Sequence, residues 1–182
     1  VVHKKNGGLT SAWKEGVRHA SADLLGFVDS DDYIEPGMYE RLAQALLKHN
    51  ADISMAGLIF DYADGDYPPR KETNRMQKEV YTQEELYSLY PVLLNDGSFI
   101  GRSLQPSRVT KLFRRHVVEQ NLALWDERVS VGEDLQMVFA AFLDAKIICT
   151  IPDYYPYHYW YHMSSMTGGH DARYLEKIKL LR

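Results

Sequence analysis

The apolar run Leu24–Val28 (LLGFV) passes without interruption into Asp29, Ser30, Asp31 and Asp32. A run this short and continuous is the pattern of a strand covered on both faces, because alternation is lost where neither face meets water. Covering both faces takes helices, and the flanking sequence supplies them. Upstream, "AWKEGVRHA" carries apolar residues at helical spacing, with Thr10 or Ser11 placed to cap its start. Downstream, Pro36 stands where a first helical turn tolerates proline, and "MYERLAQALLKHN" reads as an amphipathic helix. "ADISMAGLIF" is expected to be the next strand. The order turn, helix, strand, helix, strand predicts an α/β fold with a parallel or mixed sheet.

Before this unit, Val1–His3 read as the end of a strand, and Asn6, Gly7 and Gly8 as a turn that depends on glycine. After it, the polar stretch from about Asp61 to Lys78, with two prolines, is expected to be a mobile loop. A capping box from Thr82 to Glu85 opens the helix "TQEELYSLYPVLL", where Pro91 is a site for a kink. "SRVTKLFRRHVVEQNL" reads as a strand or turn followed by a short basic helix. "EDLQMVFAAFLDA" reads as a helix, "KIICTI" as a strand, and "YYPYHYWYHMSS" as an aromatic segment of no clear period.

The 182 residues, 45% of them hydrophobic, suffice for one substantial core or two small ones. A formal net charge of −4 with no long basic run argues against nucleic acid or another polyanion as partner. The single cysteine, Cys149, lies among apolar neighbours, so it reads as a core side chain and fits a reducing compartment. No apolar stretch approaches the roughly 20 residues that span a bilayer, and no signal peptide is evident. The chain opens on "VVHKKNGG" without an initiating methionine and stops within the helical pattern "YLEKIKLLR". It is therefore expected to be one partial domain, residues 1–182, of a larger protein.

Three clusters carry chemistry. In open α/β sheets, ligands bind beyond the carboxyl ends of the strands, which is where the Asp29–Asp32 cluster falls. Its oxygens suit Mg²⁺ or Mn²⁺, which take one or two carboxylates together with phosphate oxygens. The alternative is an Asx turn leading into the helix after Pro36. An EF-hand is excluded, because the position that needs glycine is Ile34 and Pro36 interrupts the loop. Glu133 and Asp134 open a helix, where the macrodipole favours negative charge by about 0.3–1 kcal/mol. Beside a bound cation and an acceptor hydroxyl, a carboxylate there would also serve as general base. The aromatic segment either covers the core or forms a wall for sugar rings, with His158 or His162 near a metal.

Taken in this order, these clusters resemble the inverting family-two glycosyltransferases of the GT-A fold. "NGGLTSAWKEGVRHASADLLGFVDSDDYI" is similar to the family's stretch from an asparagine–glycine turn through its DxD motif. "TKLFRRHVV", "VGEDLQMVFAAFLDAKI" and the tyrosine-rich "YYPYHYWYHMSSMT" resemble the family's later motifs. The resemblance implies a truncated, Rossmann-like GT-A mixed sheet flanked by helices. It implies a donor site at Asn6, Gly7, Gly8, Asp29, Ser30 and Asp31, with Mn²⁺ or Mg²⁺ on Asp29 and Asp31. Asp134 would be the base, Glu133 would orient the acceptor, and His158, Trp160 and His162 would line the acceptor site. The implied partners are a nucleotide-diphosphate sugar, foremost a UDP-sugar, and a glycan or lipid-linked acceptor. The implied setting is bacterial surface-polysaccharide or cell-wall glycan synthesis in the cytoplasm, peripheral to the inner face of the membrane.

Departures from the family pattern bear on the donor phosphates. Where the family has Ala-Arg-Asn after the glycine turn, this chain has Ala12, Trp13 and Lys14. Thr110 stands where many members have Asn before the Lys-Leu pair, and Trp160 about where a basic residue is common. The strand, helix and strand that hold the nucleobase in the family have no counterpart here. A non-catalytic interaction remnant of such a domain, inactive as this piece, is the competing expectation. A phosphatase with an Asp nucleophile is disfavoured, since no lysine or threonine motif follows at suitable spacing. Loss of the first unit would bare the edge of "LLGFV", so the isolated chain is expected to form a two-fold dimer.

Overall fold

A computed structural model describes residues 1–63, 65, 67–76, 78–93, 104–162, 176–177 and 179–181. Helices α1 (Leu9–His19), α2 (Met38–Lys48), α3 (Gln83–Leu93), α4 (Arg115–Glu119) and α5 (Glu133–Asp144) surround nine strands. These are β1 (Leu24–Gly26), β2 (Tyr33–Ile34), β3 (Ile53–Met55), β4 (Leu58–Tyr62) and β5 (Arg70–Glu72), then β6 (Val80–Thr82), β7 (Lys111–Arg114), β8 (Ile147–Thr150) and β9 (Tyr157–Tyr161). They form two mixed sheets, ordered β1-β7-β3-β8-β6 and β2-β9-β4-β5. β3 and β8 pair in parallel, as do β4 and β9, and the other pairs are antiparallel. The expected α/β architecture with mixed sheets flanked by helices is what the chain forms.

The first sheet is buried on both sides, and its strands show why their sequences do not alternate. Leu25, Ile53, Phe113 and Ile148 face one cluster with Trp13 of α1, Leu86 of α3 and Met137, Val138 and Phe142 of α5. Their strand neighbours Leu112 and Cys149 face a second cluster with Met38, Leu42 and Leu46 of α2. Adjacent residues thus meet opposite, equally apolar layers. Cys149 is fully buried, as its neighbours imply. In α3, the Glu85 carboxylate accepts the Thr82 N–H at 2.9 Å, which is the return half of the expected capping box.

Several local expectations are corrected. β1 ends at Gly26, and Val28 is 48% exposed, so the strand is shorter than its apolar run. As expected, it lies at the sheet edge, where β7 alone among the described residues pairs with it. Val1–His3 are exposed and pair with no strand among the described residues, so the expected strand end is not seen there. α1 is capped by Gly8 at φ 86° rather than by Thr10 or Ser11, which are buried inside the helix. α2 begins after Gly37 at φ 83°, leaving Pro36 outside. The stretch expected to be a loop contains the end of β4 and all of β5, which pair antiparallel. The aromatic segment becomes β9, a central strand of the second sheet.

The largest correction concerns "ADISMAGLIF", which is two strands in different sheets. Between them, the Ala56 N–H donates to Thr110 O in the first sheet's layer, and the Gly57 N–H to Tyr154 O beside the second. Gly57 makes this crossing sterically feasible. A Cβ there would lie 2.5 Å from Tyr155 Cδ1 and 2.8 Å from the backbone oxygen of Glu72. Because backbone cannot give way cheaply, Gly57→Ala is expected to cost about 1–3 kcal/mol of stability. Urea unfolding measures this, and wild-type stability in the variant would contradict the packing at the crossing.

Candidate active site

β1 delivers its chain to a tight turn, closed by the Asp32 N–H donating to Asp29 O at 3.2 Å. The turn is stapled to β9 by the Tyr157 hydroxyl, which accepts the Asp29 N–H at 3.2 Å and donates to Asp32 Oδ2 at 2.5 Å. The other Asp32 oxygen accepts the Trp160 N–H at 2.9 Å. Tyr157 is fully buried, so both partners are fixed in a dry environment where a lost bond is costly. Asp32 therefore anchors the turn, while Ser30 and Asp31 remain exposed at its tip.

A second element meets the turn from the other side. The bend before β7 is held by Lys111, whose ammonium donates to Gln105 O and Ser107 O, each at 2.6 Å. Residues Arg108–Thr110 form a 3₁₀ turn there. The Arg108 side chain is 3% exposed and its guanidinium lies 3.6 Å over the Trp13 ring. One guanidinium nitrogen donates to Asp29 Oδ1, and the other to Asp134 Oδ1 at 2.5 Å. Asp134 sits in the first turn of α5, which starts after Gly132 at φ 76°. The expected base and the first aspartate of the turn thus share one buried cation.

The electrostatics follow from that crowding. Burial pushes the Asp29 carboxyl up to about 6; Arg108 pulls it down, while Asp134, Asp32 and Asp31 push it further up. Burial also raises Glu133 and Asp32. Among the described residues, no group of three or more His, Cys, Asp or Glu is arranged to hold a metal ion. Mg²⁺ commonly takes one or two carboxylates and completes its shell with the phosphates of a ligand. Asp29 and Asp31, the expected cation ligands, are two carboxylates on this one turn, Asp29 half-buried and Asp31 exposed.

The other expected site residues lie around this centre. Asn6, Gly7 and Gly8 precede α1, with the Gly8 N–H on Asn6 Oδ1 at 3.0 Å, and α1 carries the Trp13 ring that supports Arg108. Lys14, the next departure from the family pattern, pairs with Glu127 at 3.3 Å. His158 projects from the face of β9 opposite Tyr157. Its Nδ1 is 2.6 Å from Asp61 Oδ2, and its ring stacks on Tyr33 at 4.3 Å. Trp160 shares that face and is 41% exposed; His162 follows β9 and is half-buried. The Ser-Met-Thr end of the aromatic tail, at 165–167, lies outside the described residues. A cavity of about 360 Å³, lined by Asn50, Arg114, His116 and Lys146 among others, opens at the amino ends of β3 and β8. The turn lies at the opposite ends, on the side where open α/β sheets commonly bind ligands.

The sequence model of glycosyl transferase family 2 matches residues 1–118. The chain belongs to that family. It is 30% identical over 148 residues to the uncharacterized glycosyltransferase EpsJ of Bacillus subtilis, covering 80% of this chain and 40% of EpsJ. It is 25% identical over 178 residues to the putative glycosyltransferase EpsH of the same organism, covering 97% of this chain and 48% of EpsH. The chain therefore spans less than half of either relative. In fold, it resembles the crystal structure of S. aureus TarS 1-349 in complex with UDP-GlcNAc. The TM-score is 0.66 at 19% identity, over 99% of this chain and 47% of that one.

Within this family-2 domain, Arg108 and Tyr157 escaped the sequence reading. A lone arginine before a strand has no spacing that marks it, and Tyr157 is one tyrosine among several. Asp32 was visible, but its anchoring role was not. Because Arg108 pulls the Asp29 carboxyl down, Arg108→Gln is expected to move its midpoint above 6. Carboxyl-carbon NMR titration of both proteins checks this, and a midpoint that falls or stays fixed would contradict the electrostatic account.

Proposed function

We propose that this domain transfers a sugar from a nucleotide-diphosphate sugar to an acceptor hydroxyl with inversion. The observation that carries the reading is the joining of Asp29 and Asp134 on Arg108 at the carboxyl end of β1. This sets a donor-side carboxylate and the carboxylate proposed as base on one guanidinium. TarS, whose fold this chain resembles, has crystal structures with UDP and with UDP-GlcNAc, which supports a UDP-sugar as donor. A stretch of 62 residues is 29% identical to a minor teichoic acid biosynthesis protein, GgaB of Bacillus subtilis. That likeness supports synthesis of a surface polysaccharide or cell-wall glycan, on a glycan or lipid-linked acceptor. No described helix is long and apolar enough to cross a membrane. The proposed place of action is the cytoplasm, at the inner face of the membrane where a lipid-linked acceptor would be met.

Asp134 takes the proton of the acceptor hydroxyl as its oxygen attacks the anomeric carbon. The new carbon–oxygen bond forms on the face opposite the leaving group. The old one breaks, and its electron pair departs with the nucleotide diphosphate, which inverts the centre. Glu133, beside Asp134 in the first turn of α5, orients the acceptor. Asn6, Gly7, Gly8, Asp29, Ser30 and Asp31 bind the donor, and Asp29 and Asp31 would hold Mn²⁺ or Mg²⁺. Such a cation neutralises charge on the leaving diphosphate. The exposed face of Tyr33 and Trp160, with His158 between elements and His162 beyond β9, offers apolar rings to acceptor sugars.

Two substitutions test this assignment together. Asp31→Ala is expected to remove Mn²⁺-dependent binding of UDP in calorimetry. Asp134→Asn is expected to keep that binding and to slow sugar transfer by the protein carrying this domain about 10²–10⁴-fold. Unchanged Mn²⁺ dependence in the first variant, or preserved turnover in the second, would refute the roles. The edge of β1, unpaired among the described residues, supports self-association of the isolated chain as a two-fold dimer. Sedimentation over a wide concentration range tests this, and a strict monomer would exclude it.

A further inference from the structure

We propose that Arg108 is a resident counter-charge that competes with a divalent cation for Asp29, so that cation entry breaks the Arg108–Asp29 bond. This rests on the reading of Asp29 and Asp31 as the cation ligands. Arg108 donates to Asp29 Oδ1 and to Asp134 Oδ1, carboxylates that come from the turn after β1 and from the start of α5. One of the two Asp29 oxygens is thereby committed to a guanidinium.

Arg108 has no easy way to leave. Its side chain is 3% exposed, its guanidinium lies 3.6 Å over Trp13 and 6.0 Å from the Phe27 ring, and Lys111 fixes the bend that carries it. A cation arriving at Asp29 therefore meets a positive charge that stays close by. Like charges in a partly buried site repel more strongly than in water, so the guanidinium opposes cation binding at this carboxylate. Arg108 also retains Asp134 as a second acceptor, so it gives up one bond and keeps the other.

The turn does not depend on Arg108 for its shape. The Tyr157 hydroxyl holds the Asp29 N–H and Asp32, and the Trp160 N–H holds the other Asp32 oxygen. Removing the guanidinium charge thus leaves the oxygens of Asp29 and Asp31 in place while lifting the opposition. Were Arg108 only a strut for the turn, its removal would loosen the ligands and weaken cation binding. The two roles predict opposite signs.

The test is titration of the full 182-residue chain with Mn²⁺ alone at pH 8, followed by electron paramagnetic resonance of the free ion. Arg108→Gln is expected to bind Mn²⁺ about tenfold more tightly than wild type, and Arg108→Lys, which keeps the charge, to stay near the wild-type value. Affinity in Arg108→Gln equal to or below wild type, or no binding in either, overturns the proposal. If the gain is absent while Asp31→Ala still removes Mn²⁺-dependent UDP binding, competition alone fails and the ligand assignment stands. If the gain survives Asp29→Asn in the Arg108→Gln background, Asp29 is not the ligand. A wild-type measurement covers the case where the variants do not fold. Mg²⁺ should shift the Arg108 side-chain nitrogen resonances as the bond to Asp29 is lost, and unshifted resonances at saturating Mg²⁺ overturn the proposal.

Discussion

The guanidinium of Arg108, lodged between Asp29 and Asp134 over the face of Trp13, holds together elements that would otherwise repel. Asp29 opens the turn after an edge strand, and Asp134 begins a helix whose residues join the first sheet's core cluster. Without a cation between them, their carboxylates would be partly buried with like charges close by, an arrangement that costs several kcal/mol. Arg108 supplies that cation at the expense of its own hydration. The surrounding structure is arranged to meet that expense: an aromatic ring below, two carboxylates in front, and a lysine-held bend behind. Its Nε is buried without a hydrogen-bond partner among the described residues, a further cost of placing the guanidinium there.

The second sheet matters as the anvil for the turn. Its strand β9 supplies both the Tyr157 hydroxyl and the Trp160 N–H that grip Asp29 and Asp32. β9 is in turn positioned by its parallel pairing with β4, which the Gly57 crossing directs away from the first sheet. A glycine remote from the acids in sequence therefore sets where they stand. The turn combines rigid support below with exposed side chains above, since Asp31 and Ser30 remain open while Asp32 is bound. This is the division a donor site needs, because a group that must grasp a diphosphate cannot itself be consumed in holding the fold.

The sequence disclosed those parts of the fold in which one physical signal dominates. α2, α3 and α5 carry long apolar periodicities or a capping box, and they form where that pattern places them. The acidic turn was legible because carboxylates crowded at a strand end demand an explanation. What escaped depends on tertiary partners. "ADISMAGLIF" is uniformly apolar, and only the proximity of Tyr155 and Glu72 to Gly57 divides it between two sheets. The stretch after Asp61 looked like loop because its composition is polar, yet pairing with β4 gives Arg70–Glu72 a partner that overrides propensity. Gly8 caps α1 in place of Thr10 or Ser11, and Gly37 caps α2 and leaves Pro36 outside its first turn, since their positive φ turns the chain into each helix. Arg108 could not be read at all, because a salt bridge between residues 79 apart in sequence leaves no local trace.

The central claim is that the turn at the carboxyl end of β1 is where a cation and a nucleotide diphosphate meet this domain. Crystals of the chain grown with UDP and Mn²⁺, measured at the manganese absorption edge, test it most directly. The account predicts one strong anomalous peak between the Asp31 carboxylate and the diphosphate, with Asp29 oriented toward it. A peak confined to the cavity lined by Asn50, Arg114 and Lys146, with the turn left vacant under saturating UDP and Mn²⁺, would contradict it.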